Sequence, residues 1–181
     1  MIKVEQNNKD GMNISGKYVK VNTDRHEHTI KTGLSQSEKA FLDNKRIFIV
    51  HGHDEVSKYK LKDYLQNTLH YPEPVILSEV ASCGRTIIES FEEETENAGL
   101  VFVLLTPDDF MSDSSMRARQ NVIFELGYFI GKFGRKSGRV IVLLKGNVDI
   151  PSDLSGILYI HIDNGIREAG EEIRKAIEAV K

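Results

Sequence analysis

Cysteine, tryptophan and proline are scarce in this sequence of 181 residues, which has one Cys, no Trp and four Pro. The single thiol, Cys83, cannot form an internal disulfide and cannot supply a thiolate cluster for zinc. No apolar run approaches the ~20 residues that span a bilayer. We therefore expect a fold that is held by packing alone, and we expect no membrane partner.

An excess of charge of one sign is also missing. The 24 basic and 27 acidic residues leave a formal net charge of −3 with His neutral. Proteins that bind nucleic acid through its phosphates usually carry a basic stripe or have a high pI, so we expect no nucleic-acid partner. The segment Met1 to Asn8 has neither the basic start nor the apolar core of a secretory signal. The expected localisation is cytoplasmic.

Residues 1–44 differ in pattern from the rest of the chain. Turn-forming pairs such as Asp10-Gly11 separate short alternating stretches at Ile2 to Glu5 and Tyr18 to Val21. This pattern predicts a polar, β-rich leader with a short hairpin, followed by a connector helix at Ser35 to Leu42. The leader is either a marginal hairpin or an edge-pairing element of an assembly.

Residues 45–181 alternate between apolar, strand-like runs and helical stripes. This alternation predicts an α/β fold with a parallel sheet and helices on both faces. Five strands favour the flavodoxin-like order 2-1-3-4-5. The predicted strands are 46–50, 74–77, 100–105, 139–144 and 158–162, and the predicted helices are 57–69, 84–98 (ended by Gly99), 119–133 and 167–180.

The predicted strand order also locates a ligand site. In doubly wound sheets, ligands bind beyond the carboxyl ends of the strands where the winding direction reverses, which is here between the first and third strands. The segments that follow those strands are His51 to Glu55 and Thr106 to Phe110. The candidate ligand-binding residues in them are His51, Gly52, His53, Asp54 and Thr106.

Structural explanations compete with ligand binding at several of these positions. Gly52 would let the turn approach a ligand closely, whereas Asp54 could simply cap the following helix. His51 and His53 have the chemistry of metal ligands, but an H-x-H pair without a third ligand is a weak signal. We predict a polar loop that lines a ligand and no metal site.

The third predicted helix of this region places a carboxylate, Glu125, in an apolar neighbourhood. Its core stripe consists of Val122, Leu126, Phe129, Ile130 and Phe133. A second face carries Asn121, Glu125, Tyr128 and Lys132. From the pattern alone, three interpretations of Glu125 are open: a solvated side chain paired with Lys132, a carboxylate in the N-terminal half of the helix that favours the helix dipole, or a functional carboxylate.

Four segments carry a combined signature, RIFIVHGHDE at 46–55, GRTIIESFE at 84–92, LLTPDD at 104–109 and RARQNVIFELGYFIG at 117–131. Taken together and in this order, they resemble the bacterial TIR-like family of nucleotide-binding effectors, relatives of the Toll/interleukin-1 receptor domain. The resemblance implies a TIR domain that cleaves NAD⁺ at the nicotinamide–ribose bond, with NAD⁺ as the substrate and no cofactor.

The same resemblance implies roles for individual residues. Enzymatic members use one Glu on the third helix, which corresponds to Glu125, and some have an aromatic residue four positions earlier, where this chain has Asn121. It also places Arg85 in a loop that gates the pocket, where Arg85 binds either pyrophosphate or only a surface carboxylate. Asn121 and Arg85 complete the predicted substrate-binding residues. The sequence lacks G-x-G-x-x-G and G-x-x-x-x-G-K-[ST], which argues against redox use of NAD and against an ATPase.

The resemblance further implies partners and a context. Such effectors self-associate through their TIR domains and act in bacterial antiviral defence, often after an upstream cyclic-nucleotide signal or through a sensor protein. Two alternatives remain open: a TIR interaction module without turnover, and a nucleoside deoxyribosyltransferase-like enzyme that also uses a Glu.

Overall fold

A computed structural model describes residues 12–15, 18–23, 26–31, 46–76, 87–112, 114–154 and 156–180. The chain divides into two compact units, residues 1–35 and residues 36–181. The boundary predicted after residue 44 falls within residues 32–45, outside the described part, and stays a prediction. The connector helix at 35–42 and the alternating stretch at 2–5 lie outside it as well.

The first unit contains an antiparallel sheet of three strands, β1 (Met12–Ser15), β2 (Tyr18–Thr23) and β3 (His26–Lys31), in the order β1-β2-β3. The alternation at Tyr18 to Val21 forms part of β2, the central strand, which pairs antiparallel with β1 on one side and with β3 on the other. Neither β1 nor β3 was predicted individually, and the sequence of β3, HEHTIK, is too polar to stand out as an apolar run.

The second unit is built on a parallel sheet of five strands. The strands of this unit are β4 (Arg46–Val50), β5 (Val75–Ile76), β6 (Ala98–Leu105), β7 (Asp109–Phe110), β8 (Met116–Arg117), β9 (Val140–Leu144) and β10 (Tyr159–His161). The order in the parallel sheet is β5-β4-β6-β9-β10, which confirms the predicted order 2-1-3-4-5. A short antiparallel pair, β7 with β8, follows the central strand β6.

Four helices accompany this sheet in the described ranges. They are α1 (Glu55–Asp63, continued by a π-helical turn Tyr64–Thr68), α2 (Ile87–Glu94), α3 (Gln120–Phe133) and α4 (Gly170–Glu178), and a 3₁₀ turn covers Ser152–Leu154. Within the part of the chain that the structure covers, none of the helices is long and apolar enough to cross a membrane.

The core lies where α3 packs against β4, β6 and β9. Every residue of β6 is buried, as expected for the central strand of a parallel sheet that is covered on both faces. From α3, the side chains of Val122, Leu126 and Phe129 are buried, and the Phe129 ring lies 6.4 Å from that of Phe48. Each such side chain contributes about 1.5–3 kcal/mol through burial. This packing fixes the helix that carries Glu125 on the sheet.

The start of β6 corrects the predicted second helix. Ala98 and Gly99 were expected to end that helix, but α2 ends at Glu94 and both residues belong to β6. The amide of Ala98 donates to the carbonyl oxygen of Thr95 at 3.0 Å, closing a tight turn. Ala98 then pairs with Arg46 in the sheet. The spacing of Ala98 from Phe91 and Thr95 fits one face of a helix, and for this reason a helix was predicted up to Ala98. In the structure Ala98 is buried within the sheet instead.

Other boundaries differ by a few residues. The first helix of this unit begins at Glu55 and not at residue 57, because Asp54 caps it. The last helix is shorter than predicted, Gly170–Glu178, and is preceded by turns. Leu77, and Gly84 at the predicted start of α2, lie outside the described residues.

Candidate active site

The loops after β4 and β6 are joined by the carboxylate of Asp108. Its Oδ1 accepts a hydrogen bond from the main-chain N–H of His53 and another from the hydroxyl of Thr106, each at 3.0 Å. The structure thus brings together the two segments that the strand order predicted to meet. Asp108 itself was not among the predicted binding residues, although it follows a fully buried strand at the reversal point of the sheet.

The carboxylate of Asp108 also occupies the space beside Gly52. A Cβ added at position 52 would lie 1.8 Å from Oδ2 of Asp108, a distance that real atoms do not adopt. A side chain at position 52 would therefore require the Asp108 carboxylate to move. An approach of a ligand to this glycine stays a prediction.

The loop after β4 also reaches the start of α3. The imidazole Nε2 of His53 is hydrogen-bonded to Nη1 of Arg119, the residue that immediately precedes the helix. Because a guanidinium can only donate, Nε2 accepts, and the proton of the neutral imidazole lies on Nδ1. Arg119 was not among the predicted site residues, although its place just before the helix that carries Glu125 is a signal visible in the sequence.

Asp54 and His51 make contacts that serve the fold. Oδ1 of Asp54 accepts from the amide of Ser57 at 2.9 Å and caps α1, while its Oδ2 accepts from Nζ of Lys145 at 2.6 Å. Burial acts to raise the pKa of Asp54, but the hydrogen bonds from Lys145 and Ser57 hold the pKa below its ordinary value. The His51 side chain is buried, with Nδ1 2.8 Å from the carbonyl oxygen of Gly52. The capping interpretation of Asp54 is confirmed.

Glu125 is partly buried on α3 and differs from every other carboxylate that the structure describes in the size of its pKa change. Burial raises its pKa to about 7, and the positive charge of Arg119 partly opposes this. Lys132 does not pair with it, because its Nζ donates to the carbonyl oxygen of Thr95 at 2.7 Å. The interpretation of Glu125 as a solvated partner of Lys132 is therefore wrong.

Aromatic rings surround this part of α3. Tyr128, one turn after Glu125, packs edge-on against Phe91 with ring centroids 4.7 Å apart. The ring of Phe124, which is exposed, lies 6.4 Å from the same Phe91 ring. Asn121, one turn before Glu125, is exposed. The described aromatic side chains thus lie beside and after Glu125 on the helix, and the position four residues before it is polar.

Comparison with known proteins identifies the family. A sequence model of the TIR domain of CAP12/Pycsar effector proteins matches residues 46–164, which is more than half of the chain. The chain belongs to this TIR-domain family. The match covers the five-stranded sheet with His53, Asp108, Arg119 and Glu125, and it leaves out the three-stranded sheet of the first unit.

Three relatives accompany the family match. The chain is 48% identical to the uncharacterised protein YuaY of Escherichia coli K12 over 130 residues, 66% of this chain and 40% of YuaY. It is 38% identical to protein tirC of Dictyostelium discoideum over 143 residues, 71% of this chain and 69% of tirC. It is 34% identical to the Pycsar effector protein PaPycTIR of Pseudomonas aeruginosa over 76 residues, 40% of this chain and 25% of PaPycTIR. The matched region is therefore less than half of YuaY and of PaPycTIR.

Two further predictions concern the gating loop with Arg85 and the binding of a metal ion. Arg85, with the rest of its predicted gating loop, lies outside the described residues. In the ranges that are described, no three His, Cys, Asp or Glu side chains lie close enough together to hold a metal ion. The binding roles of His51, His53, Thr106 and Asn121 stay predictions, whereas the positions of these residues are now defined.

Proposed function

We propose that this TIR domain is an NAD⁺ glycohydrolase, a cytoplasmic effector of bacterial antiviral defence that cleaves the nicotinamide–ribose bond, with Glu125 as its catalytic residue. The observation that carries the proposal is the state of Glu125. Its carboxyl is partly buried, has a pKa raised to about 7, and makes no hydrogen bond with any residue that the structure describes. A fold gains nothing from such a group, so its presence on α3 favours a chemical role.

The reaction suits a single carboxylate. When the bond between C1′ of the ribose and the nicotinamide nitrogen breaks, its electron pair goes to the pyridinium ring and nicotinamide leaves as a neutral molecule. Little acid catalysis is needed at the leaving group, but positive charge builds up on the ribose. An ionised Glu125 stabilises that charge, and water then adds to C1′ and releases a proton. With water as the acceptor the products are nicotinamide and ADP-ribose, whereas attack of the adenine ring on C1′ would give a cyclised isomer instead.

The environment of Glu125 strengthens this effect. A partly buried carboxylate that is hydrogen-bonded to no cation interacts more strongly with a developing cation than a fully solvated one does. Arg119 lowers the pKa of Glu125 relative to burial alone, which keeps a larger fraction ionised near neutral pH. NAD⁺ is the substrate in this proposal, and no further cofactor takes part.

We also propose that turnover depends on self-association of TIR domains and on an upstream cyclic-nucleotide signal or sensor protein. The support is the family, whose name refers to Pycsar effectors, and the relative PaPycTIR, of which 25% is matched. The proposal predicts that the specific activity of the isolated chain rises with its concentration.

Release of nicotinamide from NAD⁺ tests the proposal, measured at several protein concentrations and with a crowding agent. Glu125→Gln should lower the rate about 10²–10³-fold, the usual loss when an electrostatic group of this kind is removed. Glu172→Gln is the matched control, because Glu172 is an exposed carboxylate in the first turn of α4. Near-normal turnover by a folded Glu125→Gln protein would exclude the assignment. Base release from deoxynucleosides, without action on NAD⁺, would instead favour a deoxyribosyltransferase-like enzyme.

A further inference from the structure

The two carboxylate oxygens of Asp108 differ in their hydrogen bonding. Oδ1 accepts from the amide of His53 and from the hydroxyl of Thr106, whereas Oδ2 is buried with no hydrogen-bond partner in the described structure. A buried, unpartnered carboxylate oxygen costs stability. An Asn at this position would offer the same acceptor at Oδ1 without a buried charge. The fold alone does not explain why a carboxylate stands here.

A chain of contacts leads from Asp108 to the proposed catalytic residue. Asp108 binds the main chain of His53, and the imidazole of His53 accepts from Arg119. Arg119 immediately precedes the helix of Glu125, and its positive charge lowers the pKa of the Glu125 carboxyl. Of the charged groups in the described ranges, Arg119 is the one that acts on Glu125, since Lys132 on the same helix is bound to Thr95.

Asp108 contacts the loop after β4 at two adjacent positions. Oδ2 occupies the space that a side chain at position 52 would fill, so the loop lies directly against the carboxylate. Oδ1 accepts from the N–H of His53, the peptide group that directly follows Gly52. Asp108 thus holds the backbone that carries the His53 imidazole, and this imidazole accepts from the exposed side chain of Arg119.

We infer that Asp108 is a positioning residue of the proposed active site: by binding the loop of His53, it places the imidazole that holds Arg119 beside the helix of Glu125. The catalytic meaning of this inference rests on the proposed function. The arrangement itself can be measured without turnover, because the Glu125 carboxyl reports the position of Arg119.

The test is a titration of the Glu125 carboxyl by ¹³C NMR in the full chain, with the resonance assigned by its loss in Glu125→Gln. Arg119→Gln should move the midpoint upward by about half a pH unit, because a nearby positive charge is lost. Asp108→Ala should move it upward to a similar extent. The double variant should move it no further than Arg119→Gln alone, since both changes act through the same guanidinium.

The direction of the shift separates positioning from a direct charge effect. Loss of the negative charge of Asp108 would by itself lower the pKa of Glu125. An upward shift in Asp108→Ala therefore has to come from release of Arg119. Asp108→Asn retains the acceptor at Oδ1 and should show no upward shift. A residue that served stability alone would lower the unfolding temperature of Asp108→Ala and leave the Glu125 midpoint where it was, or lower it, and this result would overturn the inference.

If Asp108→Ala does not fold, two further variants test the same positioning role. Gly52→Ala displaces the carboxylate by its Cβ, and His53→Ala removes only an exposed imidazole. Each should raise the Glu125 midpoint as Arg119→Gln does, and an unchanged midpoint in both would reject the positioning role. Nicotinamide release by the wild-type protein is measured in parallel. Failure of NAD⁺ cleavage with the expected shifts would reject the proposed reaction and leave the positioning of Arg119 established.

Discussion

Lys132 donates from its ammonium nitrogen to the main-chain carbonyl oxygen of Thr95 at 2.7 Å, in the turn that precedes the central strand β6. Lys132 lies seven positions after Glu125 on α3 and was its expected counter-ion. Its ammonium group instead binds the backbone of another element. Of the charged groups in the described ranges, Arg119 is the one whose charge lowers the pKa of Glu125. Because Lys132 does not neutralise Glu125, burial dominates the pKa of this carboxyl, and the activity of the site should depend on pH near that pKa.

We predict that NAD⁺ cleavage falls as the pH drops through about 7, the value to which burial raises the pKa of Glu125. The ionised carboxylate is the form that stabilises positive charge on the ribose, so protonation removes activity. Below the midpoint, the rate should fall about tenfold per pH unit. Initial rates of nicotinamide release from pH 5.5 to 8.5 measure this, and a profile that is flat across the range would contradict it.

The same pKa predicts that Glu125→Gln stabilises the folded protein in a pH-dependent manner. The carboxyl has an ordinary value of 4.5 and a folded value of about 7, so the folded state binds the proton more tightly. Its favourable contribution is complete below pH 4.5 and is lost as the pH rises through 7. At pH 8, Glu125→Gln should be more stable than wild type by about 2–3 kcal/mol, and near pH 4 the two should be equal.

Urea denaturation at the two pH values measures this difference in the free energy of unfolding. Glu172→Gln, a change at an exposed position on α4, serves as the control and should change little at either pH. A Glu125→Gln protein less stable than wild type at pH 8 would show that the carboxylate has a stabilising partner. A gain in stability together with a loss of activity is the combination expected of a catalytic group held at a cost to folding.

The sequence predicted the sheet because its pattern is strong. The runs at Arg46–Val50 and Ala98–Leu105 are almost wholly apolar, and such strands can only be buried on both faces of a parallel sheet. The start of β6 could not be predicted in the same way, because Ala98 and Gly99 fit the end of a helix as well as the start of a strand. Only the pairing of Ala98 with Arg46 decides it, and that pairing is a contact between distant parts of the chain.

The meeting of the two loops was predicted from the sequence, but the contacts that join them were not. Strand order placed the loops of His53 and Thr106 together, and the helical position of Glu125 was visible from spacing. The role of Asp108 was not visible, because hydrogen bonds to a main-chain amide depend on the folded positions of two loops and not on local sequence. For the same reason Gly52 suggested a ligand, whereas its neighbour in the structure is Asp108.

A separate prediction concerns Asp54, which caps α1 and binds Lys145. Asp54→Ala should lower the free energy of unfolding at pH 7 by about 1–2 kcal/mol, the usual cost of losing an N-cap. Because the folded pKa of Asp54 lies below its ordinary value of 3.8, the contribution of the carboxylate is present above that value and lost as the pH falls through the folded one. The difference from wild type should therefore narrow in acid. A difference that is the same at pH 7 and pH 2 would show that packing, and not charge, is responsible.

The last prediction concerns the first unit. Deletion of residues 1–35 should leave the second unit folded with an unchanged thermal transition, because the five-stranded sheet, its helices and its core all belong to residues 36–181. The three-stranded sheet has β1 and β3 at its edges, and exposed edges can pair between chains. We therefore expect the truncated protein to assemble less readily and to lose the steep dependence of activity on concentration. Light scattering and nicotinamide release on both proteins at matched concentrations measure this, and superimposable curves would exclude a role for residues 1–35 in assembly.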